Sequence, residues 1–155
     1  MLNYWKCAAF GALLTLPVAG QGLPPAGPAA DPAEVRVTVS HLRSAKGAVL
    51  ACITADPDRF PKCDDDLAAK RLQIPAARAD EIVFRGVRPG RYAIAVLHDE
   101  NGNGKADRAM AMIPREGFGF SRDAKVRMGP PKFSDAAFAV RGGDTSMTIT
   151  MRYML

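Results

Sequence analysis

The sequence predicts an all-β fold: a single antiparallel β-sandwich of about seven strands. Apolar residues recur at every second position through most of residues 35–153, which is the period of a strand with one buried face. Turn signals separate these runs at Arg88-Pro89-Gly90, Asn101-Gly102 and Gly142-Gly143. Helical periodicity is scarce. Short strands without crossover helices favour an antiparallel sandwich over an α/β fold.

Each strand is predicted from its own alternation. In chain order, the runs are Val35, Val37 and Val39; Val49, Ala51 and Ile53; Ile82 and Phe84; Tyr92, Ile94 and Val96; Met110 and Met112; Phe138 and Val140; and Met147, Ile149, Met151 and Tyr153. The strand in the 90s also carries Ala93, Ala95 and Leu97 on its other face. A strand that is apolar on both faces is expected at the centre of the fold.

A buried core follows from the same alternation. We expect it to contain Val35, Val37, Ile82, Phe84, Tyr92, Ile94, Val96, Phe138, Ile149 and Met151. Two kinds of secondary structure are compatible with residues 64–77. Their acidic start suits a helix of about two turns, while a strand through residues 71–74 fits equally well.

The first 20 residues have the pattern of a secretory signal peptide. Lys6 precedes an apolar run, and the small residues Ala19 and Gly20 follow it. The run ends at Pro17, short of the ~20 apolar residues that span a bilayer. Residues 21–33 form a Pro/Gly/Ala-rich linker, and residues 34–155 form the β-sandwich domain. We therefore expect a periplasmic or secreted protein that does not span a membrane.

Two cysteines, Cys52 and Cys63, follow the signal peptide. In an exported protein such a pair is expected to form a disulfide bond with each other. Because ten residues separate them, they do not form the Cys-x-x-Cys motif of thiol–disulfide catalysts.

Charge is unevenly distributed. Between Lys105 and Lys132 there are seven basic and three acidic residues, so this stretch could attract an anionic envelope component. A solvated basic surface explains the same charges. The chain has no motif that interleaves aromatic and basic residues, so nucleic acid is not an expected partner.

Residues 98–107, HDENGNGKAD, raise the question of a metal site. Oxygen ligands at alternate positions suit Ca²⁺: Asp99, Asn101, Asn103, the carbonyl of Lys105, and Asp107. Gly104 stands where an EF-hand loop has its turn glycine, but Met110 replaces the bidentate glutamate at the twelfth position. An EF-hand is thereby excluded, and two interpretations stay open: a weak Ca²⁺ turn, with Glu100 or Glu116 as a further ligand, and a plain polar turn. A plain polar turn explains the same residues, because Asn and Gly favour turns.

Several motifs occur in an order that resembles a known family. They are Pro89-Gly90-x-Tyr92-Ala93, the run from His98 to Asp107, Ile113-Pro114-x-Glu116-Gly117-Phe118-Gly119-Phe120-Ser121, Pro130-Pro131-x-Phe133 and Ala136-x-Phe138. Over residues 34–153 the chain resembles the exported bacterial family called domain of unknown function 2141. This resemblance implies a small exported β-domain and no particular reaction. The Pro-Gly-x-Tyr motif is also similar to transthyretin-like and carboxypeptidase-regulatory-like sandwiches.

The segment around residues 113–121 is rich in glycine and phenylalanine. We expect a loop that Phe118 and Phe120 anchor to the sandwich. The alternative is a binding loop packed beside the Asp99–Asp107 turn, with His98 and Gly104 as further loop residues. A nucleophile elbow is excluded, because the sequence around Ser121 lacks the second glycine of that motif.

These features predict an exported, non-catalytic binding or accessory domain that weak Ca²⁺ binding stabilises. The alternatives are a structural protein of the cell envelope and a hydrolase that uses His98, Asp99, Glu116 or Ser121. A hydrolase needs a base that a third group orients, and the sequence shows no coherent catalytic set.

Overall fold

The structure is a computed structural model that describes residues 31–104, 108–109, 113–127 and 129–154. The signal peptide, most of the linker and the predicted strand at Met110 and Met112 lie outside these residues. So do Lys105 and Asp107 of the predicted metal site. In the part of the chain that is described, no helix has the length and apolar character needed to cross a bilayer.

The regular secondary structure of the described residues is almost entirely β-strand, which confirms the predicted all-β class. The strands are β1 (Ala33–Ser40), β2 (Ala48–Thr54), β3 (Lys70–Pro75), β4 (Glu81–Val87), β5 (Gly90–Asp99), β6 (Arg108–Ala109), β7 (Ile113–Pro114), β8 (Gly117–Phe120), β9 (Phe138–Val140) and β10 (Thr145–Thr150). The short helices are a 3₁₀ turn at Ala76–Arg78, another at Ser121–Asp123, and α1 (Phe133–Ala136). Residues 70–75, which the sequence left open between helix and strand, are therefore a strand.

Two sheets make up the sandwich. One has the order β10-β1-β4, and the other has the order β3-β2-β5-β8, with β9 also pairing with β5. β6 and β7 form a separate small pair. The pairs are antiparallel apart from β1 and β10, which run parallel from Val35↔Thr145 to Ser40↔Thr150. The chain leaves the second sheet after β9 and enters the first at β10, so no tight hairpin fixes the direction of β10.

The core between the sheets has the predicted composition. Eight of the ten predicted residues are buried, namely Val35, Val37, Ile82, Phe84, Ile94, Val96, Ile149 and Met151. Tyr92 and Phe138 are half-buried and pack against the same cluster. The predicted central position of the strand in the 90s is confirmed as well, since β5 pairs with β2, β8 and β9.

A second apolar cluster covers the outer face of β5. Phe60, Phe118 and Phe120 pack there over Ala93, and the rings of Phe60 and Phe120 are 5.8 Å apart in an edge-to-face arrangement. The small side chain of Ala93 leaves space for these aromatic rings. This cluster accounts for the apolar residues on both faces of the strand.

Phe118 and Phe120 lie in strand β8 and not in a loop, so that part of the sequence interpretation is wrong. Glycine is rare in strands, but here Gly117 and Gly119 pair with His98 and Val96 of β5. The alternation therefore puts the two aromatic rings on the outer face and the two glycines on the inner one.

A disulfide bond joins Cys52 of β2 to Cys63, with 6.5 Å between their Cα atoms. It closes the loop between β2 and β3. Next to it, the hydroxyl of Thr54 donates to the Asp66 carboxylate (2.5 Å). The predicted pairing of the two cysteines is confirmed.

Candidate functional site

One end of the second sheet gathers the residues that the sequence singled out. β5 ends with His98 and Asp99, and His98 pairs with Gly117, the first residue of β8. The next step of this register sets Asp99 opposite Glu116. His98 and Asp99 are each 0% exposed, and Glu116 is 4% exposed. Two buried carboxyl groups therefore lie on neighbouring segments at the same edge of the sheet.

The Asp99 carboxylate organises the turn that follows it. Its Oδ1 accepts hydrogen bonds from the backbone N–H groups of Gly102 (2.8 Å) and Asn103 (3.2 Å), and its Oδ2 accepts one from Gly104 (2.7 Å). Both glycines have φ of +73°, a backbone conformation that favours glycine. A carboxylate offers about four acceptor positions. Among the described residues, three donors bind the Asp99 carboxylate, two at Oδ1 and one at Oδ2.

Asn101 supports the same turn with its side chain. Its Oδ1 accepts a hydrogen bond from the backbone N–H of Asn103 (3.0 Å). Both asparagines are exposed at the surface of the loop. The turn is thus held by hydrogen bonds of its own, as expected for the plain polar turn. The same turn brings three backbone N–H groups to the Asp99 carboxylate.

His98 is buried near the end of strand β5, as expected for a structural histidine, and it does not belong to the loop that follows. Its Nε2 is 2.9 Å from the carbonyl oxygen of Lys46, and its Nδ1 is 2.7 Å from the hydroxyl of Tyr153. A carbonyl can only accept, so Nε2 carries the proton, and in the neutral ring Nδ1 accepts from Tyr153. Burial raises the pKa of the Tyr153 phenol above its usual range, which keeps this donor protonated.

Glu100 faces different partners from Asp99. Its carboxylate forms an ion pair with Arg43, whose Nε donates over 3.0 Å, and it accepts a hydrogen bond from the Ser44 hydroxyl (2.6 Å). The Arg43 guanidinium and then the Ser44 hydroxyl lower the pKa of Glu100 to about 2. Both oxygens of Glu100 are thus committed to other groups, which argues against the expectation that it ligates a metal.

Arg43 was not found by sequence reasoning, although it contacts several parts of this region. Its guanidinium also donates to the carbonyl oxygen of Arg115 (3.1 Å) and lies 4.4 Å from the centre of the Tyr153 ring. Its backbone N–H donates to the Tyr153 hydroxyl (3.2 Å). It belongs to the loop between β1 and β2, far along the chain from the other residues, so no local motif indicated it.

Gly47 was missed for a similar reason. Its φ is +68°, and a Cβ atom at this position would lie 2.0 Å from the backbone oxygen of Asp99. Only glycine allows the β1–β2 loop to approach the end of β5 so closely.

Ser121 is a structural residue of the outer layer. It is buried, its Oγ accepts from the backbone N–H of Ile94 (2.9 Å), and it donates to the carbonyl of Ala136 (2.6 Å). Both functions of the hydroxyl are therefore used to attach α1 to the central strand.

The described residues by themselves do not complete a metal site. Within residues 31–104 and the other described ranges, no three His, Cys, Asp or Glu side chains come together to hold an ion. Lys105 and Asp107, which the loop pattern adds to Asp99, lie outside those ranges. Of the predicted Ca²⁺ ligands, Asp99, Asn101 and Asn103 and the further candidate Glu116 lie among the described residues.

Two shallow grooves lie elsewhere on the described surface. One, of about 470 Å³, is lined by residues that include Phe60, Arg91 and Phe133. The other, of about 350 Å³, includes Lys125, Arg152 and Met154. Neither contains His98 or Glu116, so these two grooves do not bring the suggested hydrolase residues together.

Comparison with curated proteins and with solved structures gave no match. A family model described as "Uncharacterized protein conserved in bacteria (DUF2141)" matches residues 37–148. The match extends from β1 into β10 and includes the Asp99 turn and β8. It confirms the resemblance inferred from the motifs, and the chain belongs to this bacterial family.

Proposed function

We propose that the protein is an exported, non-catalytic binding or accessory domain, in which the Asp99–Asp107 loop binds Ca²⁺ and is stabilised by it. The observation that carries this proposal is the Asp99 carboxylate. It is fully buried at the end of the central strand, and the turn that carries Asn101 and Asn103 folds back onto it through backbone N–H groups. The export of the protein rests on the pattern of residues 1–20.

Electrostatics support a cation at this position. A buried carboxylate is costly unless hydrogen bonds or an opposite charge compensate for it. Three backbone N–H groups offset part of this cost at Asp99, and among the described residues no Lys or Arg forms an ion pair with it. Glu116, also buried, follows Asp99 in the register and adds negative charge to this edge. A divalent cation would offset both charges.

The ligand set indicates weak binding. Of the proposed ligands, Asp99, Asn101, Asn103 and Glu116 are described residues, while Lys105 and Asp107 come from the sequence pattern. With few carboxylates, affinity is expected at the extracellular end of the calcium scale, a Kd of about 10⁻⁴–10⁻³ M. Mg²⁺ should be a poor substitute, since it requires a smaller octahedral shell.

A hydrolytic activity has less support. The two ring nitrogens of His98 are held by Lys46 and Tyr153, and the hydroxyl of Ser121 is held by Ile94 and Ala136. A general base must reach the proton that it removes, and both residues are engaged elsewhere. Two alternative proposals are a structural role in the cell envelope and the binding of an anionic partner by the basic surface.

Calcium-dependent thermal unfolding tests the proposal. Calcium at ten times Kd should add about 1.4 kcal/mol to the free energy of unfolding, which is roughly 4–6 °C in melting temperature for a domain of this size. Asp107→Asn should remove most of this gain, because it takes away a ligand carboxylate. It is a better test than Asp99→Asn, which would also disturb the three hydrogen bonds of the turn.

Asp58→Asn provides the matched control. Asp58 is an exposed carboxylate in the loop between β2 and β3, so its loss should leave the calcium response unchanged. If millimolar calcium does not shift the melting temperature of the wild type, the loop is a polar turn and the metal proposal fails.

A further inference from the structure

The pairing between β5 and β8 ends just before the two buried carboxyl groups, while Asp99 still pairs with Ala48 of β2 on its other side. The register between β5 and β8 runs from Ala95↔Phe120 to His98↔Gly117. Asp99 and Glu116 lie one step beyond the last pair. Since β2 already fixes Asp99, the distance between the two carboxyl groups depends on the contacts that hold residues 115–116 to this end of the sheet.

Arg43 contacts both segments. Its guanidinium binds the carboxylate of Glu100, the residue after Asp99, and the carbonyl of Arg115, the residue before Glu116. The face of the same guanidinium lies 4.4 Å from the centre of the Tyr153 ring. Tyr153 is fixed in turn by its hydrogen bond to His98 (2.7 Å). A planar group with several donors can satisfy these contacts at the same time.

We infer that Arg43 is a positioning residue that holds the two walls of the proposed cation site, the Asp99 segment and the Glu116 segment, at a fixed distance. This inference rests on the proposed function in so far as it concerns calcium. It assigns Arg43 a role in cation binding although Arg43 is itself a cation and cannot be a ligand. It also gives Glu100 the function of anchoring Arg43 rather than binding the ion.

A positioning role and a purely electrostatic role of Arg43 predict different effects of substitution on calcium binding. If Arg43 acts only as a nearby positive charge, Arg43→Met should strengthen calcium binding, and Arg43→Lys should leave it unchanged. If Arg43 positions the site, both variants should weaken binding. Lysine keeps the charge but loses the fork of donors and the planar face that lies on Tyr153.

Calcium titration of the full chain, with its disulfide intact, separates the two cases. We expect both Arg43→Met and Arg43→Lys to raise the calcium concentration at half saturation by about tenfold, the typical effect of removing a residue that orients ligands. The matched control is Arg36→Lys. The side chain of Arg36 is 40% exposed against 37% for Arg43, and it also forms an ion pair with a glutamate, but it lies on β1 away from the loop.

Hydrogen exchange without calcium provides a second, independent readout. The amides of Gly102, Asn103 and Gly104 are held by Asp99, so they should exchange faster in both Arg43 variants and not in Arg36→Lys. Tighter calcium binding by Arg43→Met, or variants with wild-type affinity and wild-type exchange, would overturn the inference.

If the calcium proposal is wrong, the experiment gives a result that differs from the one expected if only the Arg43 inference is wrong. If the wild type binds no calcium, that function is lost, and the exchange rates alone decide whether Arg43 orders the Asp99 turn. Should Arg43→Met fail to fold, Arg43→Lys and Ser44→Ala test the same contacts with smaller changes. Ser44→Ala removes the hydroxyl that fixes the other oxygen of Glu100.

Discussion

Asp99 and Glu100 are neighbouring carboxylates in the sequence, and the fold gives them different tasks. Asp99 is buried and accepts hydrogen bonds from three backbone N–H groups of its own turn. Glu100 leaves the strand on the other side and binds Arg43 and Ser44 of the β1–β2 loop. Since successive side chains of an extended chain point to opposite faces, adjacent residues at the end of β5 meet different partners. A ligand pattern in sequence cannot separate the two roles.

The ion pair of Glu100 predicts an acid-dependent loss of stability. Its pKa in the folded protein is about 2 against an ordinary value of 4.5. The pair therefore stabilises the fold fully above the ordinary value, and this contribution is lost as pH falls towards 2. The difference in free energy of unfolding between wild type and Glu100→Gln should thus shrink between pH 5 and pH 3.

Urea unfolding at the two pH values measures this difference. Asp58→Asn, which removes an exposed carboxylate of another loop, should show no comparable trend. A difference between wild type and Glu100→Gln that stays constant over this interval would mean that Glu100 is not held in its charged form.

At the scale of elements, the residues that pack on the inner face of β8 determine which residues this strand can contain. A Cβ atom at Gly117 would lie 2.2 Å from the Tyr153 ring, and one at Gly119 would lie 2.6 Å from Ile149. The inner face of β8 therefore has to lack side chains, because the end of β10 and the residues after it occupy that space. Backbone hydrogen bonds between Phe118 and Arg152 (3.0 and 2.8 Å) join the two sheets at this edge.

Gly117→Ala tests this account of β8. The added methyl group should cost about 1–3 kcal/mol of stability through overpacking, measured by urea unfolding. In a Tyr153→Ala background the ring is absent, so the same substitution should cost clearly less, as a double-mutant cycle would show. Equal costs in the two backgrounds would contradict the contact between Gly117 and Tyr153.

For the whole molecule, two apolar layers stabilise the fold. The main core lies between the sheets, and the aromatic cluster of Phe60, Phe118 and Phe120 covers the outer face of the second sheet. β5 lies between these two layers and ends at the candidate site. Because both faces of β5 are packed against apolar layers, the positions of His98 and Asp99 at its end are fixed.

Phe84→Ala tests the main core. Phe84 is among the largest fully buried side chains, so its truncation should cost about 3–5 kcal/mol in the free energy of unfolding. Val83→Ala, on the outer face of the same strand, serves as the control and should cost much less. A loss below about 0.5 kcal/mol for Phe84→Ala, the range of surface substitutions, would place Phe84 outside the core.

The sequence by itself determined the all-β class, most strands, the buried face of each and the pairing of Cys52 with Cys63. These follow from alternation and from a cysteine count, which are properties of short segments or of composition. The tertiary structure decided that residues 117–120 form a strand, that β10 runs parallel to β1, and that Arg43 meets Glu100 across 57 positions of the chain. Alternation shows that a residue is buried but not what lies against it. Partners so far apart are brought together only when the two sheets pack.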